Sequence, residues 1–227
     1  MENKNARGLK ITAIVFMGLN TGMNILGGTG TVCAAFIPLY VMVLGTKDYQ
    51  WLYQTLMITT ILIGIAGVWS TVKLIKGGKD LFKWALIILI IGTVLSGTQF
   101  FASLSIRGAA TPANVKFLSN AVTLLLFLIL RYTKLGAGVD FSNPSSKADN
   151  KMAGGLAAFT SGLAVLSVFI WAGPSHTYMG ESWIDIYGQP ILFTGAVLVG
   201  AGLVSIIWSF FQMANENITE ISPKSTM

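Results

Sequence analysis

The apolar and polar positions divide the chain into long uncharged blocks separated by short polar segments. Six blocks meet or approach the roughly 20 mostly apolar residues that a helix needs to cross about 30 Å of hydrocarbon. We expect spans at about 9–26, 52–72, 84–104, 113–132, 153–172 and 190–213, with a polar loop at 133–151 and a polar tail at 214–227. An open β-sheet is not expected here, because the backbone N–H and C=O groups at its edges would lack hydrogen-bond partners in lipid. The short segments of alternating polarity that are typical of a transmembrane β-barrel do not occur in the sequence. The pattern predicts an all-α, polytopic transmembrane helical bundle of about six spans in a single membrane domain.

The first apolar block is longer than one upright span requires. Residues 11–46 carry no charge, and Gly27-Gly28-Thr29-Gly30 interrupts them. Three glycines in four positions disfavour a continuous helix, since each costs up to about 1 kcal/mol relative to alanine. We therefore predict one crossing that breaks at Gly27–Gly30, followed by a non-crossing outer segment at 31–44. That segment is expected to be re-entrant or interfacial; a second crossing is the alternative.

The distribution of Lys and Arg predicts the orientation of the bundle. With six crossings and both termini inside, 12 of the 15 basic residues lie on the inner side, and only Lys47, Arg107 and Lys116 lie outside. A second crossing in the first block would change this distribution to 9 against 6. The positive-inside rule therefore favours six spans with cytoplasmic termini. In that arrangement Lys116 marks the outer boundary of the fourth span. A plasma membrane is expected, and small size with compact loops favours a prokaryotic one.

Composition excludes several classes of protein. Hydrophobic residues make up 53% of the 227 residues, charged residues only 11%, and the mean hydropathy is +0.69. A soluble domain has about 25% charged residues. The chain therefore lacks the polar surface of a water-soluble globule, a disordered chain or a nucleic-acid binder, despite a net charge of +6 and a pI near 9.5.

The spans contain few residues that could perform chemistry. No Asp, Glu or His lies within a predicted span, and such residues mark proton relays and ion pathways in membrane proteins. We therefore predict no catalytic residue, no metal site and no enzyme activity.

His176, the only histidine, is a weak candidate for a cofactor ligand in the outer loop. Glu181 and Asp185 share that loop, so an outward-facing enzyme or cation site is a third hypothesis. A protein metal site usually needs three or four ligands, which favours a histidine bonded to loop backbone or to a partner.

Uncharged polar and small residues within the spans are candidates for helix packing or for the lining of a path. Asn20 and Asn24 are four residues apart and share a helix face, while Gly18 and Gly22 form a GxxxG pair on nearly the opposite flank. Such residues usually mark close helix contacts and interhelical hydrogen bonds. The complete set is Gly18, Asn20, Gly22, Asn24, Gln99 and Asn120.

Four lysines and a tryptophan cluster at one predicted inner boundary, namely Lys73, Lys76, Lys79, Lys83 and Trp84. Anchoring to anionic headgroups explains them, because each basic residue near such a surface contributes about 1 kcal/mol. A docking patch for an acidic soluble subunit is the alternative.

These observations favour a non-catalytic multi-pass subunit of a larger membrane complex, such as a respiratory or photosynthetic one. Its partners would be lipids and other membrane subunits, or copies of itself. The sequence requires no cofactor, although apolar walls suit a bound lipid, quinone or pigment. The alternative is a passive channel or facilitator for a small neutral or lipidic solute, lined by Asn20, Asn24, Gln99 and the glycine break at Gly27–Gly30.

Overall fold

Long apolar runs give long helices throughout the computed structural model, which describes residues 4–36, 41–110, 113–144, 146–171, 177–178, 181–182, 184 and 188–221. The α-helices are α1 (Lys4–Thr29), α2 (Val32–Phe36), α3 (Gln50–Lys76), α4 (Leu81–Arg107), α5 (Ala113–Tyr132), α6 (Lys147–Trp171) and α7 (Gly188–Ile221). Segments Val41–Tyr49 and Lys134–Gly136 are 3₁₀ helices. Strands β1 (Thr177–Tyr178) and β2 (Glu181–Ser182) form a two-residue antiparallel pair between α6 and α7.

Six helical segments of the described chain are long and apolar enough to cross a membrane. This confirms the predicted all-α bundle of about six spans. The fourth span, α5, has the predicted bounds, whereas α3 and α4 extend a few residues further at both ends. Helix α7 continues to Ile221, which lies within the predicted polar tail.

Helix α6 begins inside the segment that we predicted to be loop. It starts at Lys147, and the Asp149 N–H donates to Ser146 Oγ over 3.1 Å. A serine side chain that accepts from the first turn is a standard N-cap, and an acid in that turn opposes the positive end of the helix dipole. These local interactions extend the helix beyond its apolar stretch.

The first apolar block breaks at the end of its glycine-rich segment. Helix α1 passes through Gly27 and Gly28, and the chain then turns, with the Thr31 N–H donating to Gly28 O over 3.0 Å. Helix α2 follows with five residues, which cover about 7.5 Å at the usual helical rise and cannot cross a membrane. Helix α2 packs against α3 and the Val41–Tyr49 helix, as a non-crossing segment would.

Helix α1 is central to the bundle, because it packs against α3, α5 and α6, while α4 packs between α3 and α5. Helix α7 packs mainly against α6. Glycines let these two helices approach at backbone distance: a Cβ on Gly202 would lie 2.7 Å from Gly155 O, and one on Gly162 would lie 2.8 Å from Gly195 O. The last two spans therefore form a tight antiparallel hairpin beside α1.

Polar contacts identify which segments share an end of the bundle. Arg7 forms a 2.5 Å ion pair with Asp149, and Lys10 Nζ donates to Asn143 O over 2.9 Å. The Gly78 N–H donates to Phe141 O over 3.2 Å. The start of α1, the α3–α4 turn and the α5–α6 loop thus lie together, at what we call the basic end. Helix α2, the 3₁₀ helix Val41–Tyr49 and the α4–α5 connection lie at the opposite end.

Candidate functional site

Polar side chains of α5 insert into notches that glycines leave in the neighbouring helices. A Cβ on Gly27 of α1 would lie 2.8 Å from Lys116 Cδ, and one on Gly92 of α4 would lie 2.5 Å from Asn120 Oδ1. Both distances are shorter than Cβ contacts in folded proteins, so the two glycines make room for the two α5 side chains. Small residues at helix crossings commonly permit such an approach within membranes.

Lys116 is fully enclosed by the bundle, with 1% of its surface exposed. Its Nζ donates to Gln99 Oε1 and, over 3.3 Å, to Thr60 Oγ1. No carboxylate of the described residues lies within ion-pair distance of this nitrogen. Helices α3, α4 and α5 are therefore joined through a basic side chain whose partners are uncharged.

The hydrogen bonds continue from Gln99 to the turn that ends α1. Gln99 Nε2 donates to Thr31 Oγ1 over 2.8 Å, and the Thr31 hydroxyl donates to Gly27 O over 2.7 Å. A carbonyl at a helix C-terminus lacks an intrahelical partner, so Thr31 satisfies one of these groups. The side chain of Gln99 thus links Lys116 to the glycine-rich turn.

Three asparagines extend the same cluster toward the middle of the bundle. Asn20 and Asn24 of α1 each donate to Asn120 Oδ1 over 3.2 Å, and Asn120 Nδ2 donates to Asn24 Oδ1 over 3.0 Å and to Lys116 O over 2.9 Å. Ser119 contributes a further bond to Asn20 Oδ1. Gly92, which faces Asn120, lies 11 residues after the start of α4 and 15 before its end, so Asn120 lies near mid-depth, while Asn20 and Asn24 lie 9 and 5 residues before the end of α1. We call this group the polar core, and its members are Asn20, Asn24, Thr31, Thr60, Gln99, Lys116, Ser119 and Asn120.

The interior on the other side of the asparagines is apolar. Ile14 and Met17 of α1 pack there with Leu74, Leu89 and Phe127, all with at most 1% exposure. Phe82 stacks on Phe127 with ring centroids 5.2 Å apart. The polar core therefore occupies the half of the bundle toward the opposite end, and an apolar layer separates it from the basic end.

The structure brings together four of the six residues that we predicted for packing or lining, namely Asn20, Asn24, Gln99 and Asn120. The two glycines lie elsewhere: a Cβ on Gly18 would be 3.2 Å from Ala157 Cβ, and one on Gly22 would be 3.7 Å from Ser161 Oγ. Gly18 and Gly22 thus face α6, whereas the asparagines of α1 face α5.

The other predicted residues lie apart from the polar core. Lys73, Lys76, Lys79, Lys83 and Trp84 are exposed at the basic end, near the α3–α4 turn. His176 and Asp185, together with the Glu181 side chain, lie outside the described residues. Within the described part of the chain, no group of three potential metal ligands occurs.

The expectation that Lys116 marks an outer boundary is wrong for its side chain, which is buried and bonded within the bundle. The buried positions of α5 include Lys116, Asn120, Thr123, Phe127 and Leu130. Their spacing of three or four residues defines one helix face. The spacing of the buried positions in α5 therefore predicts that Lys116 faces inward. Counting Lys and Arg on each side of the membrane cannot predict this, because it treats every lysine as a residue of the water boundary.

A shallow groove of about 290 Å³ opens on the side of the bundle next to the polar core. Phe16 and Met23 of α1, Leu118 and Val122 of α5, and Ala164 of α6 contribute to its walls. The groove offers mainly apolar side chains at the depth where lipid chains surround the protein.

Loop residues at the basic end hold an acid in a local hydrogen-bond network. Asp140 accepts from the Ser142 hydroxyl, from the Ser142 N–H over 2.8 Å and from Asn143 Nδ2 over 2.7 Å. These bonds, with the Ser142 hydroxyl contributing most and Lys10 nearby, hold the pKa of Asp140 below its ordinary value. The loop is therefore ordered by an ionised carboxylate.

Long apolar helices, an apolar exterior and an enclosed polar core define a multi-pass α-helical membrane protein. No protein-family model, no curated protein and no solved structure matches the chain.

Proposed function

We propose that this chain is a non-catalytic, multi-pass subunit of a larger membrane complex. The observation that carries the proposal is the polar core, of which every member except the partly exposed Ser119 is buried. Asn20, Asn24, Gln99 and Asn120, the residues that would line a path, are at most 5% exposed and bond to one another or to Lys116 and Thr31. Their hydrogen-bonding capacity is used to join helices, which is the role of polar groups in a structural membrane bundle.

The exterior supports a role in contacting lipids and other chains. Helix α7 exposes Phe193 by 72%, Trp208 by 57% and Phe211 by 67%. The apolar groove between α1, α5 and α6 adds a surface that suits a lipid chain or a hydrophobic cofactor. A complex would use these surfaces, whereas an isolated chain would present them only to lipid.

The proposed setting is a prokaryotic plasma membrane with both termini in the cytoplasm. The basic end carries the start of α1 and the lysine cluster of the α3–α4 turn, and the amine of Lys116 does not reach the opposite surface. Because Lys116 is buried, the exposed basic residues of the described chain are more strongly concentrated at the basic end than the 12-to-3 count from the sequence indicates. The positive-inside rule expects such an excess on the cytoplasmic side of a membrane.

Mass measurement on the native assembly tests the subunit role. Membranes from cells that express a tagged chain at its natural level are cross-linked, solubilised in mild detergent and analysed by native mass spectrometry. We expect a species of fixed stoichiometry well above 24.3 kDa, and its mass distinguishes copies of this chain from other subunits. A cross-linked monomer that carries only lipid would contradict the proposal.

The second candidate is a facilitator for a small neutral or lipidic solute, and one observation favours it. Lys116 is a buried basic residue without a described acidic partner, and ionisable groups inside membrane bundles commonly mark functional sites. Flux into liposomes that contain the pure protein separates the two candidates. A flux that exceeds that of empty vesicles, and that Asn24→Leu abolishes, would support a facilitator. A flux equal to that of empty vesicles would support the structural role.

A further inference from the structure

A cleft of about 610 Å³ opens at the basic end, between the first turn of α4, the end of α5 and the loop that follows it. Apolar residues form its inner wall, among them Leu130 and Phe141, which are buried. Arg131, Thr133 and Lys134 lie on its outer part and are exposed. The cleft thus joins an apolar wall to a basic rim.

The charges around the cleft favour an anionic occupant. Arg131 and Lys134 are the basic residues of the lining, and Lys79 and Lys83 are exposed at positions next to the lining residues Asp80 and Phe82. Its two lining acids are Asp80 and Asp140. Hydrogen bonds from Ser142 and Asn143 hold the Asp140 carboxylate against its own loop without removing its charge, so four basic residues in or beside the cleft stand against two acids.

The position of the cleft favours an occupant with an apolar tail. It lies where the α5 span ends and the α4 span begins, which is the level of the membrane–water boundary. Tyr132 and Leu135 are 79% and 66% exposed there, and aromatic residues with one polar and one apolar part favour this level. A soluble anion would use the basic rim alone, whereas a phospholipid would use the rim and the surrounding hydrocarbon.

We infer that this cleft binds the headgroup of an anionic phospholipid, with Arg131 and Lys134 contacting its phosphate. Basic pockets between membrane helices on the cytoplasmic side recognise such headgroups. Arginine supplies a planar pair of donors that matches two phosphate oxygens, and lysine supplies a point charge. The inference does not depend on the subunit role, since lipid would bind here in either proposed function.

Lipid titration in detergent tests the site. The full chain is titrated with phosphatidylglycerol or phosphatidylcholine, and bound lipid is counted by native mass spectrometry for the wild type, for Arg131→Gln/Lys134→Gln, and for the control Lys47→Gln/Lys147→Gln. The control removes the same charge from exposed positions outside the cleft. We expect a preference for phosphatidylglycerol that weakens about 30-fold in the cleft variant and stays unchanged in the control, because two basic groups near an anionic lipid account for about that factor.

Two outcomes would overturn the inference. One is equal loss of phosphatidylglycerol in the cleft variant and the control, which would indicate general attraction to a basic surface. The other is displacement of the bound lipid by inorganic phosphate at equal concentration, which would indicate a site for a free anion. Unfolding temperatures in phosphatidylcholine, measured for all three proteins, show that the variants are folded.

Discussion

Lys116 and Gln99 meet inside the bundle, where Lys116 Nζ of α5 donates to Gln99 Oε1 of α4. The two residues are 17 positions apart and face each other across the α4–α5 connection. Because Gln99 also donates to Thr31 beside the end of α1, this single amide joins three helices. The relationship explains why a lysine and a glutamine occur on the inner faces of otherwise apolar spans.

The coupling between these two residues is measurable. We expect Lys116→Met and Gln99→Leu together to cost less than the sum of the single changes, with a coupling free energy of about 1–2 kcal/mol, because each single change leaves the other polar group buried without its partner. Reversible unfolding of the four proteins in mixed micelles measures it. Additive costs, within about 0.5 kcal/mol, would show that the contact is energetically unimportant.

The notch at Gly27 predicts the effect of one added methyl group. A Cβ at this position would lie 2.8 Å from Lys116 Cδ, so Gly27→Ala should displace the lysine stem and destabilise the bundle by about 1–3 kcal/mol. Gly154→Ala is the matched control, because a Cβ there meets nothing within 4 Å. The control should be neutral or stabilising by up to about 1 kcal/mol, since alanine favours helix. Equal unfolding free energies for the two variants would argue against the notch.

Much of the fold could be predicted from the sequence because lipid imposes simple requirements. A span needs length, low charge and internally satisfied backbone groups, and α5 accordingly has its predicted bounds. Helix ends depend on local capping that hydropathy does not report. The Ser146 cap is an example, since it begins α6 inside the predicted loop.

The polar core was predictable only in part. Asn20, Asn24, Gln99 and Asn120 are recognisable as polar residues within apolar spans. Their hydrogen bonds, to one another or to Lys116 and Thr31, join three helices whose packing the sequence does not specify. A basic residue near a span end commonly reaches the headgroups, so the sequence alone predicts Lys116 at a boundary. In the structure the Lys116 side chain instead lies inside the bundle, in the space that Gly27 leaves. This space depends on the packing of α1 against α5, which the sequence does not give.

The α6–α7 hairpin should be sensitive to side chains at its glycine contacts. A Cβ on Gly202 would lie 2.5 Å from Phe159 N, which is backbone and cannot move aside cheaply. We expect Gly202→Ala to separate the helices and lower the unfolding free energy by about 1–3 kcal/mol. Gly200→Ala, two residues away on the same helix, meets nothing within 4 Å and should have little effect. If both variants unfold alike, the close contact between the helices is not important for stability.

The loop at the basic end should lose stability in acid. The pKa of Asp140 is lowered in the folded chain, chiefly by the Ser142 hydroxyl. Its ionised form therefore stabilises the fold above the unfolded-state pKa of about 3.9, and this contribution disappears as the pH falls through the lower, folded-state pKa. Asp140→Asn should flatten the decline in unfolding free energy between about pH 5 and pH 2. Parallel pH curves for the wild type and the variant would contradict this explanation.

Cysteine accessibility within the polar core tests most directly whether the interior is closed. Asn24→Cys in a Cys33→Ala background is exposed in native membranes to a water-soluble, impermeant maleimide, with Lys47→Cys as the exposed control and labelling in SDS as the reference for full reaction. A closed core predicts rapid labelling of Lys47→Cys and none of Asn24→Cys until SDS is added. Labelling of Asn24→Cys at the rate of the control would mean that water reaches the polar core, and it would contradict a structural role for these side chains.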